Sequence, residues 1–318
     1  MSRLSPFLVL ALSGCVTDTP TPGLDTATSS PQTNDDGSCA PPSQGVAYSR
    51  LFPNLMLAID RSGSMIDKWD QVLALGDLLD QVGSMSTLGL ALFPSGLLNA
   101  CGTASSIVVP LGHGSDTAGD ILDALLDTRP GGSTPIAGTL DNIRLQGGLD
   151  DPSRDNVVVL LSDGVPNCAC EDNDPVCERE EAVAAVQLLV GQPVPIELFV
   201  IGFGTDDEAN ETLAAIAGAA EPTTGPDNFY TASTTEELVG RLAAVAGSLA
   251  ACRFSLDESI SPEDLVVSLD DDMLLPCTED RCERGYIYNA ALGIVDIEGS
   301  DCLTMQDDTC HDLWFDRK

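Results

Sequence analysis

Continuous apolar runs alternate with amphipathic stretches between residues 54 and 250. Runs such as NLMLAID, which starts at Asn54, are typical of central strands in a parallel sheet, where both faces of a strand are buried. The stretches between them space their apolar residues at helical intervals. This alternation predicts an α/β fold, a doubly wound and mostly parallel six-stranded sheet covered on both faces. The predicted strands are 54–60, 88–93, 107–111, 156–163, 196–202 and 229–232, and the predicted helices are 69–82, 118–126, 134–145, 179–190, 208–219 and 235–250.

The pattern of apolar and polar residues changes near the carboxyl terminus. Short strand-like pieces replace the long alternation, and five of the eleven cysteines lie between Cys252 and Cys310. So short a segment has little core of its own. We therefore predict that residues 252–318 form a small disulfide-rich β-domain.

The first 38 residues have the pattern of an export signal followed by a tether. A short apolar stretch leads to Leu-Ser-Gly-Cys15, which resembles the lipobox of bacterial lipoproteins, in which the cysteine is lipidated. Residues 16–38 are rich in Thr, Ser, Pro and Asp, and we predict that they are a disordered tether. We thus expect a signal peptide at 1–15, the tether, and a main domain at 39–251. The lipobox implies a lipid-anchored protein of the bacterial envelope, at the outer membrane, the cell surface or the periplasm.

The charge balance is strongly acidic. Lys and Arg number 14 against 50 Asp and Glu, for a formal charge of −36. Such a surface repels phosphate backbones and anionic lipid headgroups, so we expect neither nucleic-acid binding nor a polybasic membrane clamp. Contact with the membrane is then expected only through the lipid. Cations and proteins with basic patches are the expected partners of such a surface.

Oxygen-bearing side chains follow two of the predicted strands. The first strand leads into DRSGS at 60–64, the second into SDG at 162–164, and a Gly-rich loop, GGSTP at 131–135, lies between them in the sequence. In a doubly wound sheet, ligands bind beyond the carboxyl ends of the strands. Carboxylates and hydroxyls are hard ligands suited to Mg²⁺, Mn²⁺ or Ca²⁺. The predicted metal ligands are Asp60, Ser62, Ser64, Thr134 and Asp163.

These residues, in this order, resemble the metal ion-dependent adhesion site of von Willebrand factor type A domains. The resemblance spans residues 54–250, and all five motif positions match. It implies a divalent cation, most often Mg²⁺ with Ca²⁺ or Mn²⁺ as alternatives, and a partner protein that offers an acidic side chain to the metal. The implied function is metal-dependent protein binding or adhesion. We expect Ser62 and Thr134 to be exposed loop residues.

Two other functions stay open at this point. The domain could be a structural or assembly scaffold of an envelope complex in which metal binding is secondary. Hydrolysis by a metal-activated water would need a general base. His113 and His311 are the only histidines, and both are interpreted as ordinary loop residues. The sequence has no Gly-x-Ser-x-Gly, His-Glu-x-x-His or Walker loop, so we expect that the protein is not an enzyme.

The cysteines are expected to form disulfides, because this many in a protein with few histidines indicates an oxidising compartment. The loop 167–177 departs from the family pattern and could be a calcium loop, a zinc site or a disulfide-pinned recognition loop; three cysteines without a nearby fourth ligand argue against zinc. The ends of the domain lie close together in the family, which suggests a Cys39–Cys252 bridge. The other cysteines of the main domain, Cys101, Cys168, Cys170 and Cys177, would then pair with one another. Those of the β-domain, Cys277, Cys282, Cys302 and Cys310, would do the same.

Overall fold

The computed structural model describes residues 45–318, apart from 84–85, 97–99, 221–227, 249–251, 271, 279–281 and 306–310. The predicted signal peptide, Cys15, the tether, Cys39 and Cys310 lie outside the described residues. In chain order the strands are β1 (Tyr48–Arg50), β2 (Asn54–Asp60), β3 (Thr87–Phe93), β4 (Ile107–His113), β5 (Asn156–Ser162), β6 (Ile196–Phe203), β7 (Phe229–Ala232), β8 (Arg253–Leu256), β9 (Leu265–Leu269), β10 (Asp272–Leu274), β11 (Arg284–Asn289), β12 (Ile294–Glu298) and β13 (Leu313–Arg317). The helices are α1 (Trp69–Leu73), α2 (Gly76–Gly83), α3 (Gly114–Leu126), α4 (Ile136–Gln146), α5 (Pro175–Val190), α6 (Asp207–Gly218), α7 (Thr235–Ser248) and α8 (Gly299–Met305).

Six strands form the central sheet in the order β4-β3-β2-β5-β6-β7. Only β4 runs antiparallel to its neighbour; the other four pairings are parallel. The predicted doubly wound, mostly parallel six-stranded sheet is thus confirmed. Because β2 and β5 are adjacent and parallel, their carboxyl ends open onto the same edge of the sheet.

Both faces of the sheet are buried, which explains the continuous apolar runs. Along β2, Leu55, Leu57 and Ile59 pack against α1, α2, α3 and α7 on one face. The residues between them, Met56 and Ala58, pack against α4, α5 and α6 on the other face. A strand with two apolar faces places its first polar residues at its end, and the site begins there.

Three predicted helices differ clearly in their bounds, and one of them, α3, begins at Gly114, four residues earlier than predicted. The helix expected at 69–82 is broken into α1 and α2, although its apolar positions are buried as predicted. A side chain at Gly76, where α2 begins, would approach Leu122 of α3 within 3.0 Å, so glycine permits the close packing there. Helix α5 begins four residues earlier than predicted, because Asp174 caps it by accepting a hydrogen bond from the Val176 N–H at 3.0 Å and proline occupies its first position.

The remaining strands form two small antiparallel sheets, ordered β1-β8-β12-β11 and β10-β9-β13. We call these strands, together with α8, the β-unit. Its core contains Phe254, Val267, Tyr286 and Phe315, so this unit has an apolar core of its own, contrary to the expectation from its length. Strand β1 pairs with β8 and therefore belongs to the β-unit, not to the domain expected to begin at residue 39.

The β-unit joins the central sheet at the amino ends of the strands. Arg253 of β8 forms ion pairs with Asp155, which directly precedes β5, at 2.7 Å and with Asp296 of β12 at 2.6 Å. The Leu51 N–H donates to the Arg253 carbonyl at 2.8 Å. The described helices include none that is long and apolar enough to cross a membrane.

Candidate metal centre

Asp60, the last residue of β2, is fully buried. Its Oδ1 accepts a hydrogen bond from the Ser62 backbone N–H at 2.7 Å, and its Oδ2 accepts one from Ser162 Oγ at 2.6 Å. Burial raises the pKa of the Asp60 carboxyl to about 7, although the hydrogen bonds from Ser162 and Ser62 act in the opposite direction. A buried carboxylate of this kind is stabilised in its charged form by a nearby cation.

Two serine hydroxyls connect this loop to Asp163. Ser62 Oγ and Ser64 Oγ lie 3.0 Å apart, and Ser64 Oγ donates to Asp163 Oδ1 at 2.7 Å. Asp163 directly follows β5, and its side chain is buried. The loops at the ends of two adjacent strands are therefore in direct contact through the predicted ligands.

The loop that carries Thr134 is hydrogen-bonded to both of the others. Gly63 N–H donates to the Gly132 carbonyl at 3.0 Å. Thr134 N–H donates to Asn167 Oδ1 at 2.8 Å, and Asn167 N–H donates to the Thr134 carbonyl at 3.3 Å. Gly132 has a φ of +94°, a left-handed conformation that favours glycine. The three loops that hold the five predicted ligands thus meet at the carboxyl end of the sheet.

The expected exposure of the ligands is wrong for two residues. Ser62 is 2% exposed and Thr134 is 4% exposed, because the neighbouring loops cover them. Ser64 is the exposed member of the set. Access to the centre is therefore from the side of Ser64.

The chemistry of the donor set fits a hard divalent cation. Two carboxylates balance the charge of such an ion, and hydroxyls add ligands without adding charge. Within the described ranges, no group of three or more His, Cys, Asp and Glu side chains is placed to hold a metal. An ion at this centre would consequently depend on the hydroxyls of Ser62, Ser64 and Thr134 as well as on the carboxylates.

Lys68 also belongs to the site, although the sequence analysis missed it. Lys68 ends a short 3-10 helix, Gly63–Lys68, that continues the first loop. Its Nζ donates to Asp163 Oδ2 at 2.6 Å and to the Gly204 carbonyl at 2.9 Å. The sequence contains only two lysines, and this scarcity was a signal that could have drawn attention to the one that follows DRSGS so closely.

A disulfide encloses the Thr134 loop. Cys101 is bonded to Cys168. The residues just before these cysteines hold the Thr134 loop between them, because the Ala100 carbonyl accepts from the Ser133 N–H at 3.0 Å and Asn167 bonds to Thr134 as described above.

The disulfides rule out one of the three alternatives for the loop 167–177. Cys170 is bonded to Cys177, so all three cysteines of this loop are in disulfides and the zinc alternative is wrong. Fully buried Glu178 holds the same loop, since its carboxylate accepts hydrogen bonds from the Ala169 and Cys170 N–H groups at 2.9 to 3.0 Å. The loop is pinned from both sides.

The pairing proposed for Cys252 needs correction. Cys252 is bonded to Cys302, and Cys277 to Cys282. A Cys39–Cys252 bridge is therefore wrong, as is the expectation that Cys302 pairs only with another cysteine of residues 277–310. The reason is that β8 lies beside β12, which brings Cys252 next to α8 and its Cys302.

Neither histidine lies at the centre. The expectation that His113 is a loop residue is wrong, because it is the last residue of β4. Since β4 is antiparallel, His113 pairs with Thr87 at the opposite end of the central sheet. His311 belongs to the β-unit, where its Nδ1 lies 2.5 Å from Asp270 Oδ2.

Comparison with known proteins identifies one family. The model of the von Willebrand factor type A domain matches residues 54–243, which include all five predicted ligands. A curated relative, the uncharacterized protein YwmD of Bacillus subtilis (strain 168), is 35% identical over 107 residues, which cover 32% of this chain and 43% of YwmD.

Solved structures share the fold at low identity. The pilus adhesin SpaC from Lactobacillus rhamnosus GG has a TM-score of 0.50 and 15% identity, over 78% of this chain and 37% of SpaC. A von Willebrand factor type A protein from Catenulispora acidiphila has a TM-score of 0.44 and 15% identity, over 69% of this chain and 46% of that protein. The matches to YwmD and to these two proteins cover less than half of the length of each of them.

Proposed function

Because this chain belongs to the von Willebrand factor type A domain family, we propose that it binds a partner protein through a divalent cation held at the candidate centre. The observation that carries the proposal is the meeting of the three loops that hold the five predicted ligands, which are joined to one another by hydrogen bonds. The ligands would be Asp60, Ser62, Ser64, Thr134 and Asp163. Mg²⁺ is the ion we expect first, because the donor set is made of carboxylate and hydroxyl oxygens, with Ca²⁺ or Mn²⁺ as alternatives.

The five residues would contribute to the centre in different ways. Asp60, buried and held by two hydrogen bonds, fixes the inner side of the centre. Asp163 and the hydroxyls of Ser62 and Thr134 would supply further oxygen ligands. When bound, the ion supplies a positive charge and a coordination position for an anionic oxygen of the partner. Ser64 lies on the exposed side, where a carboxylate of that partner would approach.

We propose recognition without catalysis. Neither histidine is placed at the centre, and we assign no residue there the role of a general base. A scaffold role in an envelope complex is the competing function, and it requires no cation.

We also propose that the chain is lipid-anchored through Cys15, on the resemblance of residues 12–15 to a lipobox. Strand β1, the first described strand, lies in the β-unit, which contacts the amino end of the central sheet. The candidate centre lies at the carboxyl end of the same sheet. The centre therefore lies at the end of the domain opposite the first described strand. Partitioning into detergent phase tests the anchor: we expect the full chain to enter it when expressed with its leader and a Cys15→Ser variant to stay in the aqueous phase.

Capture from an envelope extract tests the binding function. The immobilised chain is exposed to extract in Mg²⁺ and then eluted with EDTA. The matched variants are Asp60→Asn, which keeps the shape of the buried side chain, and Asp67→Asn, which removes an exposed carboxylate in the adjoining 3-10 helix. We expect a protein that elutes with EDTA from wild type and Asp67→Asn but is absent from Asp60→Asn.

The scaffold function makes the opposite prediction. Capture that EDTA leaves unchanged, and that wild type and Asp60→Asn share, would support it against metal-dependent recognition. Circular dichroism of both variants in EDTA checks that the comparison is made between folded proteins.

A further inference from the structure

Lys68 is fixed in place by contacts on two sides. Its ammonium is 2.6 Å from Asp163 Oδ2 and 2.9 Å from the Gly204 carbonyl, and its side chain is 25% exposed. Asp163 is thus bonded at both oxygens, to Ser64 through Oδ1 and to Lys68 through Oδ2. The Lys68 ammonium is therefore in direct contact with one of the two carboxylates of the centre.

The loop after β6, which holds none of the predicted ligands, leaves space for this lysine. Gly204 follows β6 and has a φ of +61°, and a Cβ built there would lie 2.9 Å from Lys68 Cε. Its N–H donates to the Ala232 carbonyl at 2.8 Å, which fixes the loop to the end of β7. A larger residue at 204 would push the lysine stem aside. The position of the Lys68 side chain therefore depends on glycine at position 204.

We propose that Lys68 sets the charge of the centre, so that it weakens the hold on the metal and strengthens the attraction for the acidic ligand. The inference rests on the proposed function. With a cation bound, which keeps both carboxyls ionised, Asp60 and Asp163 carry two negative charges, and Lys68 reduces this to one. With a divalent cation in place the centre then has a net positive charge, whereas without the lysine it would be neutral. Coulomb's law makes both effects large at such short separations in a partly buried site.

A purely structural role of Lys68 predicts a different outcome. If the lysine only orients Asp163, its removal should loosen a ligand and weaken metal binding. If it acts through its charge, its removal should tighten metal binding. The two roles therefore differ in the sign of one measured change.

Titration with Mn²⁺, followed by electron paramagnetic resonance, measures that sign. The variant Lys68→Met removes the charge and retains an unbranched stem, and Lys68→Gln removes the charge but keeps a hydrogen-bond donor. The matched control is Lys318→Met, which removes the other lysine of the chain, an exposed residue of the β-unit that bonds to the Glu263 carbonyl. We expect both Lys68 variants to bind Mn²⁺ on the order of tenfold more tightly than wild type, and Lys318→Met to match wild type.

Acetate serves as the probe for the anionic ligand. Acetate that displaces a water from the bound Mn²⁺ lowers the relaxation rate of the water protons, and this decrease measures its binding. We expect acetate to bind several-fold more weakly to both Lys68 variants than to the wild type. Weaker or unchanged Mn²⁺ binding in a folded Lys68→Gln variant would overturn the inference. If the wild type bound no Mn²⁺, the proposed function itself would fail. If the wild type bound Mn²⁺ and the Lys68 variants bound it no more tightly, only the inference about Lys68 would fail.

Discussion

The two ends of the central sheet are built on different principles. At the carboxyl end, three loops bring buried carboxylates and hydroxyls together and join them by hydrogen bonds. At the amino end, the β-unit packs aromatic side chains into an apolar core, where the rings of Tyr48 and Phe315 meet edge to face at 4.9 Å. The central sheet, which has an apolar core on each face, thus separates the polar centre at one end from the independently packed β-unit at the other.

This division predicts that the two ends can be damaged separately. The largest effect on stability is expected from Phe315→Ala, because Phe315 is fully buried in the β-unit. The lost burial and the remaining cavity should cost about 3–5 kcal/mol of the free energy of unfolding. Chemical denaturation measures this cost, and Mn²⁺ titration should give wild-type affinity below the unfolding transition. A parallel loss of Mn²⁺ affinity would show that the two ends are coupled.

The next effect is expected from opening the bridge that encloses the Thr134 loop. The double variant Cys101→Ser, Cys168→Ser should lose about 2–4 kcal/mol of stability, since the bridge closes a loop of 67 residues in the unfolded chain. Mn²⁺ affinity should fall several-fold as well, because residues 100 and 167 hold the Thr134 loop. The control is the variant without Cys277 and Cys282, a bridge of the β-unit that should leave Mn²⁺ affinity unchanged.

A smaller effect is expected from the hydroxyl of Thr134. Thr134→Ala should weaken Mn²⁺ binding about tenfold, which corresponds to about 1.4 kcal/mol. Thr134→Ser keeps the hydroxyl and should bind Mn²⁺ much as the wild type does. Calorimetric titration distinguishes the two, and equal affinity of the Ala and Ser variants would remove Thr134 from the ligand set.

An effect of similar size, on stability and not on Mn²⁺ binding, is expected at the junction between the sheet and the β-unit. Arg253→Met leaves the half-buried carboxylates of Asp155 and Asp296 without their shared cation, and it should cost about 1–2 kcal/mol of stability. The matched control is Arg317→Met, which breaks an exposed ion pair with Glu258 and should change stability by less than about 0.5 kcal/mol. Thermal unfolding in EDTA compares them. Equal melting temperatures would mean that Arg253 does not hold the junction.

The sequence predicts the carboxyl end of the sheet better than the amino end, for a physical reason. Strands β2 and β5 are apolar on both faces, so their polar ends are visible as Asp60 and Asp163 in the sequence itself. Strand β1, in contrast, pairs with a strand about 200 residues away, and three residues carry no pattern that could reveal this. The disulfide of Cys252 depends on the same distant pairing.

The contact between Lys68 and Asp163 also could not be predicted from the sequence. Lys68 reaches Asp163 only because a 3-10 helix turns the chain back and Gly204 leaves room for the lysine stem. The position of the Thr134 backbone likewise depends on a hydrogen bond to Asn167, which lies 33 residues further along the chain. Residue types indicated the chemistry of the ligands, whereas their exposure and neighbours followed from loop geometry.

Anomalous diffraction from crystals soaked in Mn²⁺ tests the central claim most directly. We predict one strong anomalous peak at the carboxyl end of the central sheet, within coordination distance of side-chain oxygens of Asp60, Ser62, Ser64, Thr134 or Asp163, with contributions from all three loops. The peak should disappear in crystals of Asp60→Asn. A soaked wild-type crystal with no peak between these loops, or with its only strong peak on the acidic surface elsewhere, would contradict the account.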